Sequence, residues 1–122
     1  MLKTAVFLHG YNVNEKNWER VVWGVLPDKP GRIPVAIAVA LEEGAEHLIL
    51  FGSSIGKEKD GKWLSSGRWM TDLLCERFGE LKQFTILQPL RELSLEQIRE
   101  RIEGIFQLIE EPERPANTLG EL

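Results

Sequence analysis

Three short stretches of the chain are apolar almost without interruption, and each stops at a small or polar residue. Ala5-Val6-Phe7-Leu8 runs into His9-Gly10, His47-Leu48-Ile49-Leu50-Phe51 into Gly52-Ser53-Ser54, and Phe84-Thr85-Ile86-Leu87 into Gln88-Pro89. Continuous rather than alternating hydrophobicity is what strands covered on both faces require, so these stretches predict a parallel sheet. Between and after them the period changes. Asn14 to Val22 reads as a short helix capped by Asn12 or Asn14. Pro34 to Glu43 reads as a helix with proline in its first turn and Gly44 at its stop. Ser66 to Phe78 reads as a third, followed by Gly79. Ser94 to about Glu110 reads as a fourth, opened by Ser94-Leu95-Glu96-Gln97 in the form of a capping box.

The order β–α–α–β–α–β–α predicts the α/β class: a Rossmann-like three-layer α/β/α domain with a short parallel sheet and crossover helices. Lys57-Glu58-Lys59-Asp60-Gly61-Lys62 reads as a polar loop, either a solvated excursion or a lid over the strand ends. The proline-broken stretch from Glu110 to Ala116 reads as irregular.

At 122 residues the chain has room for one core and reads as a single domain. Its net charge of -4 lacks the basic footprint of a nucleic-acid or anionic-membrane binder. The single cysteine, Cys75, excludes an internal disulfide, and within Trp69-Met70-Thr71-Asp72-Leu73-Leu74-Cys75 it is expected to be a small buried hydrophobe. No apolar run reaches the length of a membrane span, and Met1-Leu2-Lys3-Thr4 lacks the parts of a signal peptide, so a cytoplasmic location is expected.

In a parallel α/β sheet ligands gather beyond the carboxyl ends of the strands, and three clusters are expected there. His9-Gly10-Tyr11-Asn12-Val13-Asn14 offers close backbone approach at glycine and amides at a helix start; turn glycine with capping asparagines is the plainer reading. Gly52-Ser53-Ser54-Ile55-Gly56 matches the nucleophile elbow G-x-S-x-G, with Ser54 as nucleophile of an α/β-hydrolase-like esterase. Against that reading, the segment after Gly56 is charged and broken by glycine, and no histidine lies downstream to act as base. Arg32, in Gly31-Arg32-Ile33-Pro34 at a helix head, can clamp a phosphate or carboxylate; a solvated turn charge is the alternative. Trp18, Trp23, Trp63 and Trp69 are expected to pack in the core or in a lid rather than to stack on a ligand. The sequence holds no P-loop, no complete G-x-G-x-x-G and no metal-ligand cluster.

Taken in order, these pieces resemble the bacterial family of unknown-function domains that includes SanA, ElyC and YdcF. The resemblance rests on Leu8-His9-Gly10, on Arg32 through Ala36, Ala40 and Gly44, and on Leu48-Ile49-Leu50-Phe51-Gly52-Ser53. It continues through the helix near Trp69-Met70 to Glu113-Arg114-Pro115-Ala116-Asn117-Thr118-Leu119-Gly120-Glu121. The late motif has Ala116 or Pro115 where the family has serine, and an extra helix stands before it. Family domains run on past Asn-Thr, so the chain reads as a truncated or minimal version. The resemblance implies a ligand crevice lined by Gly10, Arg32, Gly52, Ser53, Asn117 and Thr118; the strand-end loop adds Tyr11 and Asn12 to the candidates. It also implies a link to envelope biogenesis and a nucleotide-like or phosphate-bearing ligand, with S-adenosylmethionine a candidate from one branch. Whether any reaction is catalysed stays open.

The helix from Ser94 carries Leu95, Ile98, Ile102, Ile105, Phe106 and Ile109 on one broad face, more than a three-strand sheet needs. With the open sheet edge, that surplus predicts a homodimer, the alternative being that the helix folds back on its own sheet in a monomer; a non-catalytic oligomerising or partner-binding domain is the second class of function.

Overall fold

A computed structural model describes residues 4–52, 56–84 and 92–109. Along the chain these form β1 (Ala5–His9), α1 (Trp18–Val22), β2 (Gly24–Val25), β3 (Lys29–Pro30), α2 (Arg32–Glu42) and β4 (His47–Phe51). Next come β5 (Gly56–Lys59), β6 (Lys62–Ser65), α3 (Ser66–Arg77), a 3₁₀ segment (Phe78–Lys82), α4 (Leu95–Ile105) and β7 (Phe106–Ile109). The chain is mixed α/β.

Three strands form the principal sheet in the order β1-β4-β7. β1 and β4 are parallel, with Ala5 opposite His47 and His9 opposite Phe51, as their apolar runs predict. The third strand is a correction. β7 pairs parallel to β4 with Leu48 opposite Phe106, so the predicted helix ends at Ile105 rather than near Glu110. Gly104 weakens the last helical turn, and Phe-Gln-Leu-Ile serves a strand as well as a helix. Of the strand expected at Phe84–Leu87, Phe84 is buried but outside any strand, and the rest lies outside the described residues.

The loop expected from Lys57 to Lys62 is also corrected. β5 and β6 form an antiparallel hairpin, Lys59 facing Lys62 across Asp60-Gly61. Both turn residues have positive φ, 53° and 82°, the conformation of a two-residue primed turn whose twist matches the strands it joins. α1 begins later than predicted, because Asn12 and Asn14 are spent on a turn: the Asn14 N–H donates to Asn12 Oδ1 at 3.0 Å.

The core lies on one face of the principal sheet. Leu48 and Leu50 are fully buried beneath Ile33, Ile37 and Ala40 of α2, Met70, Leu73 and Leu74 of α3, and Ile98 and Ile102 of α4. Of the predicted surplus stripe of α4, Ile98 and Ile102 are buried within the chain at 3% and 2% exposure, and Leu95, Ile105 and Phe106 pack against the same core. On the other face Phe7, His9 and Phe51 gather ring to ring, with centroids 5.1 to 5.7 Å apart. Cys75 is exposed, contrary to expectation. α3 turns Met70, Leu73 and Leu74 inward, and the 100° step per residue carries Cys75 off that face.

Trp23 is fully buried where α1 ends, and its indole N–H donates to Glu80 Oε1 at 2.9 Å. Arg77 Nε donates to Glu80 Oε2 at 2.8 Å, and the same guanidinium pairs with Glu19 of α1. This clamp joins α1 to the end of α3.

Candidate site at the strand ends

The site grows out of two chain reversals. β1 ends at His9, and Gly10-Tyr11-Asn12 leads away from the sheet; β4 ends at Phe51 and gives way to Gly52. Because His9 and Phe51 are register partners, Gly10 and Gly52 leave the sheet side by side. The head of α3 packs against both. A Cβ on Gly10 would lie 2.3 Å from Ser66 Oγ, and one on Gly67 would lie 2.7 Å from both N and Cα of Gly52. At Gly67 only glycine permits this approach, since the Gly52 backbone it meets cannot yield as a flexible side chain can. Ser65 fixes that helix head: its Oγ accepts from the Arg68 N–H at 3.2 Å, a cap that satisfies one of the free amides of the first turn.

Arg32 reaches the same place from α2. Gly31 is the N-cap and offers no side-chain cap. The exposed Arg32 donates from Nη1 to the Gly10 carbonyl at 3.4 Å. Its guanidinium carbon lies 5.2 Å from the centre of the Tyr11 ring, within cation–π range. No carboxylate pairs with Arg32 among the described residues. Asn12, one residue on, bonds to Asn14, whose side-chain amide donates to the Gly56 carbonyl at 3.1 Å and so ties the β1 loop to the hairpin. Beside Arg32 runs an open, mostly apolar depression of about 450 Å³ lined by Leu8, Val21, Pro30, Gly31, Val35 and Ala36.

Of the residues singled out from sequence, Gly10, Tyr11 and Arg32 are thus in direct contact, and Gly52 sits beside Gly10 across the head of α3. Asn12 faces the hairpin side of the same loop. Ser53, Ser54, Asn117 and Thr118 lie outside the described residues. Gly56 opens a β-strand, and the next helix starts only at Ser66; a nucleophile elbow would instead pass directly into a helix. His47 stands at the amino end of β4, the opposite end of the sheet from Gly52. Sequence reasoning missed Ser66 and Gly67, although Ser65-Ser66-Gly67 after Trp63-Leu64 carries the mark of a helix start.

Trp18 and Trp23 are buried in the core and Trp69 packs against it, as expected of them. Trp18 and Trp69 meet edge to face at 6.2 Å. The Trp69 N–H donates to the Lys57 carbonyl at 3.1 Å, with the Lys57 and Lys59 ammonium groups over its ring. Among the described residues no group of three or more His, Cys, Asp or Glu is placed to hold a metal ion, and no helix is long and apolar enough to cross a membrane. Set beside models of protein families, characterised proteins and solved structures, the chain matches none of them.

Proposed function

We propose that the crevice at the carboxyl ends of β1 and β4 binds a small anionic ligand, nucleotide-like or phosphate-bearing, with Arg32 as the group that holds its charge. The observation that carries this reading is the position of Arg32: its guanidinium touches the Gly10 carbonyl and the Tyr11 ring and has no carboxylate partner among the described residues. A guanidinium presents five donors in a flat fork, so one contact at 3.4 Å leaves most of them for phosphate oxygens. The first-turn amides of α2 add positive potential at the same point. Gly10 brings half-buried backbone to the strand ends while Gly52 is buried against the head of α3, and Tyr11 and Asn12 supply a ring and an amide there. Ser53, Asn117 and Thr118, the other candidates the resemblance names, lie outside the described residues. The resemblance to the SanA, ElyC and YdcF family supports the same crevice and makes S-adenosylmethionine a candidate beside nucleotides and sugar phosphates.

With this reading goes a Rossmann-like, three-layer arrangement in which a second layer would lie over the Phe7–His9–Phe51 face, where Phe7 and His9 are exposed. Diethylpyrocarbonate should then modify His9 slowly; reaction as fast as that of free imidazole would leave the face bare.

The ligand reading is tested by thermal shift with inorganic phosphate, pyrophosphate, nucleotides, sugar phosphates and S-adenosylmethionine. A ligand at 100 times its Kd stabilises the folded state by about 2.7 kcal/mol. The expected result is a rise in Tm with at least one phosphate-bearing compound that Arg32→Ala abolishes. Equal shifts in both proteins, or none in either, would overturn the reading.

A further inference from the structure

α2 buries all of its residues but five, and four of the five make one stripe. Arg32, Val35, Val39 and Glu42 are exposed, and only Leu41 besides them is less than buried. The spacing of three, four and three places them on one helix face. Val35 and Val39 are each 38% exposed, and with Phe7 and Val25 they are the exposed large hydrophobics among the described residues. The outer face of an amphipathic helix is mostly polar; this one is apolar in the middle and charged only at its ends.

The end charges have the unfavourable sign. α2 has no acidic residue in its first turn and no basic residue in its last; it has Arg32 at the start and Glu42 at the end. Each faces the like-signed end of the helix dipole, which works against a lone helix. An antiparallel neighbour of the same sequence reverses both effects. Arg32 then lies at the partner helix's negative end, and Glu42 at its positive end.

We propose that α2 pairs with α2 of a second copy, antiparallel, about a two-fold axis through the middle of the stripe. In that register Val35 meets Val39 of the second copy and Arg32 meets Glu42 of the second copy, each pair occurring twice. This is the self-complementarity that an isologous contact demands. The apolar surface continues from Val35 into the depression formed with Leu8, Val21 and Pro30; a neighbouring depression that shares Val21 and Pro30 includes Val25, 51% exposed. Three helical turns alone fall short of the ~800 Å² per partner of a standard interface, so the dimer belongs to the weak, exchanging class. The pairing shares Arg32 with the ligand reading, but Glu42, at the other end of α2, belongs to the pairing alone, so Glu42→Arg tests the pairing separately.

The test is sedimentation velocity over a micromolar concentration series, with circular dichroism confirming that each variant folds. Wild type should associate reversibly. Glu42→Arg, which sets two arginines face to face, should weaken association about tenfold or more, and the double variant Arg32→Glu/Glu42→Arg should restore it. In a Cys75→Ser background, Val35→Cys/Val39→Cys should oxidise to a covalent dimer, while either single cysteine should not. A wild type that stays monomeric throughout the series would overturn the proposal. So would association indifferent to Glu42→Arg, a charge swap that fails to restore it, or a single Val35→Cys that cross-links as fully as the pair.

Discussion

α2 and α4 are each eleven residues long and lean on the same core, yet they meet the outside differently. α4 opens with a complete capping box, Ser94 Oγ accepting from the Gln97 N–H at 3.2 Å and Gln97 Oε1 accepting from the Ser94 N–H at 2.8 Å. Its outer face carries Glu96, Arg99, Glu100, Arg101 and Glu103, with Arg99 and Glu103 paired one turn apart. α2 has no side-chain cap, an arginine at its head and two valines where α4 has charges. One helix is finished by its own residues and by water. The other leaves a cation beside the end of β1 and an apolar stripe outside, and both proposals for this chain arise from α2.

The sharpest way to break that comparison is to cut the two faces of α2 separately. Ile37→Ala on the inner face should destabilise by about 2–5 kcal/mol, and Ile102→Ala on α4 by a similar amount, because each leaves a cavity in the shared core. Val39→Ala in dilute protein should stay within about 0.5 kcal/mol. Urea titrations of the three variants measure this, and a Val39 effect as large as that of Ile37 would mean the outer stripe already packs within the chain. Ser94→Ala comes next, at about 1 kcal/mol through loss of the cap; a neutral result would remove the contrast between the helix heads.

A smaller effect depends on pH and lies in the clamp behind α1. Partial burial by itself raises the Glu80 carboxyl, but hydrogen bonds from Trp23 and Arg77 and the Arg77 charge outweigh it and hold the group below the usual carboxylate range. A group whose folded pKa is depressed adds stability that is present above its unfolded pKa and lost as pH falls through the folded value. Acidification from neutrality should therefore erode stability from the ordinary carboxylate range downward, and Glu80→Gln should flatten that part of the profile. Identical acid profiles for variant and wild type would show that the clamp contributes nothing.

Much of this architecture was legible where one period dominates. The runs of β1 and β4, the cap at Ser94 and the stop of α2 before Gly44 each carry a local signal, and each stands in the structure. β7 was not legible, because Ile98, Ile102, Ile105, Phe106 and Ile109 satisfy a helix period straight through the point where the strand begins. The hairpin hid because its alternating positions are charged rather than apolar, although Asp60-Gly61 was there to mark the turn. At the site, Gly10 and Arg32 followed from the rule that strand ends and helix heads converge. Ser66 and Gly67 did not, because their contacts with Gly10 and Gly52 join segments far apart in sequence, and no local pattern encodes such a contact.

The most direct test of the strand-end site is an amide NMR titration with a phosphate-bearing compound selected by thermal shift. Shift changes should concentrate at Gly10, Tyr11, Asn12, Arg32 and Gly52, leave residues 96–104 of α4 unmoved, and vanish in Arg32→Ala. Changes centred on the lysines of the 56–65 hairpin, or spread evenly over the chain, would contradict the account.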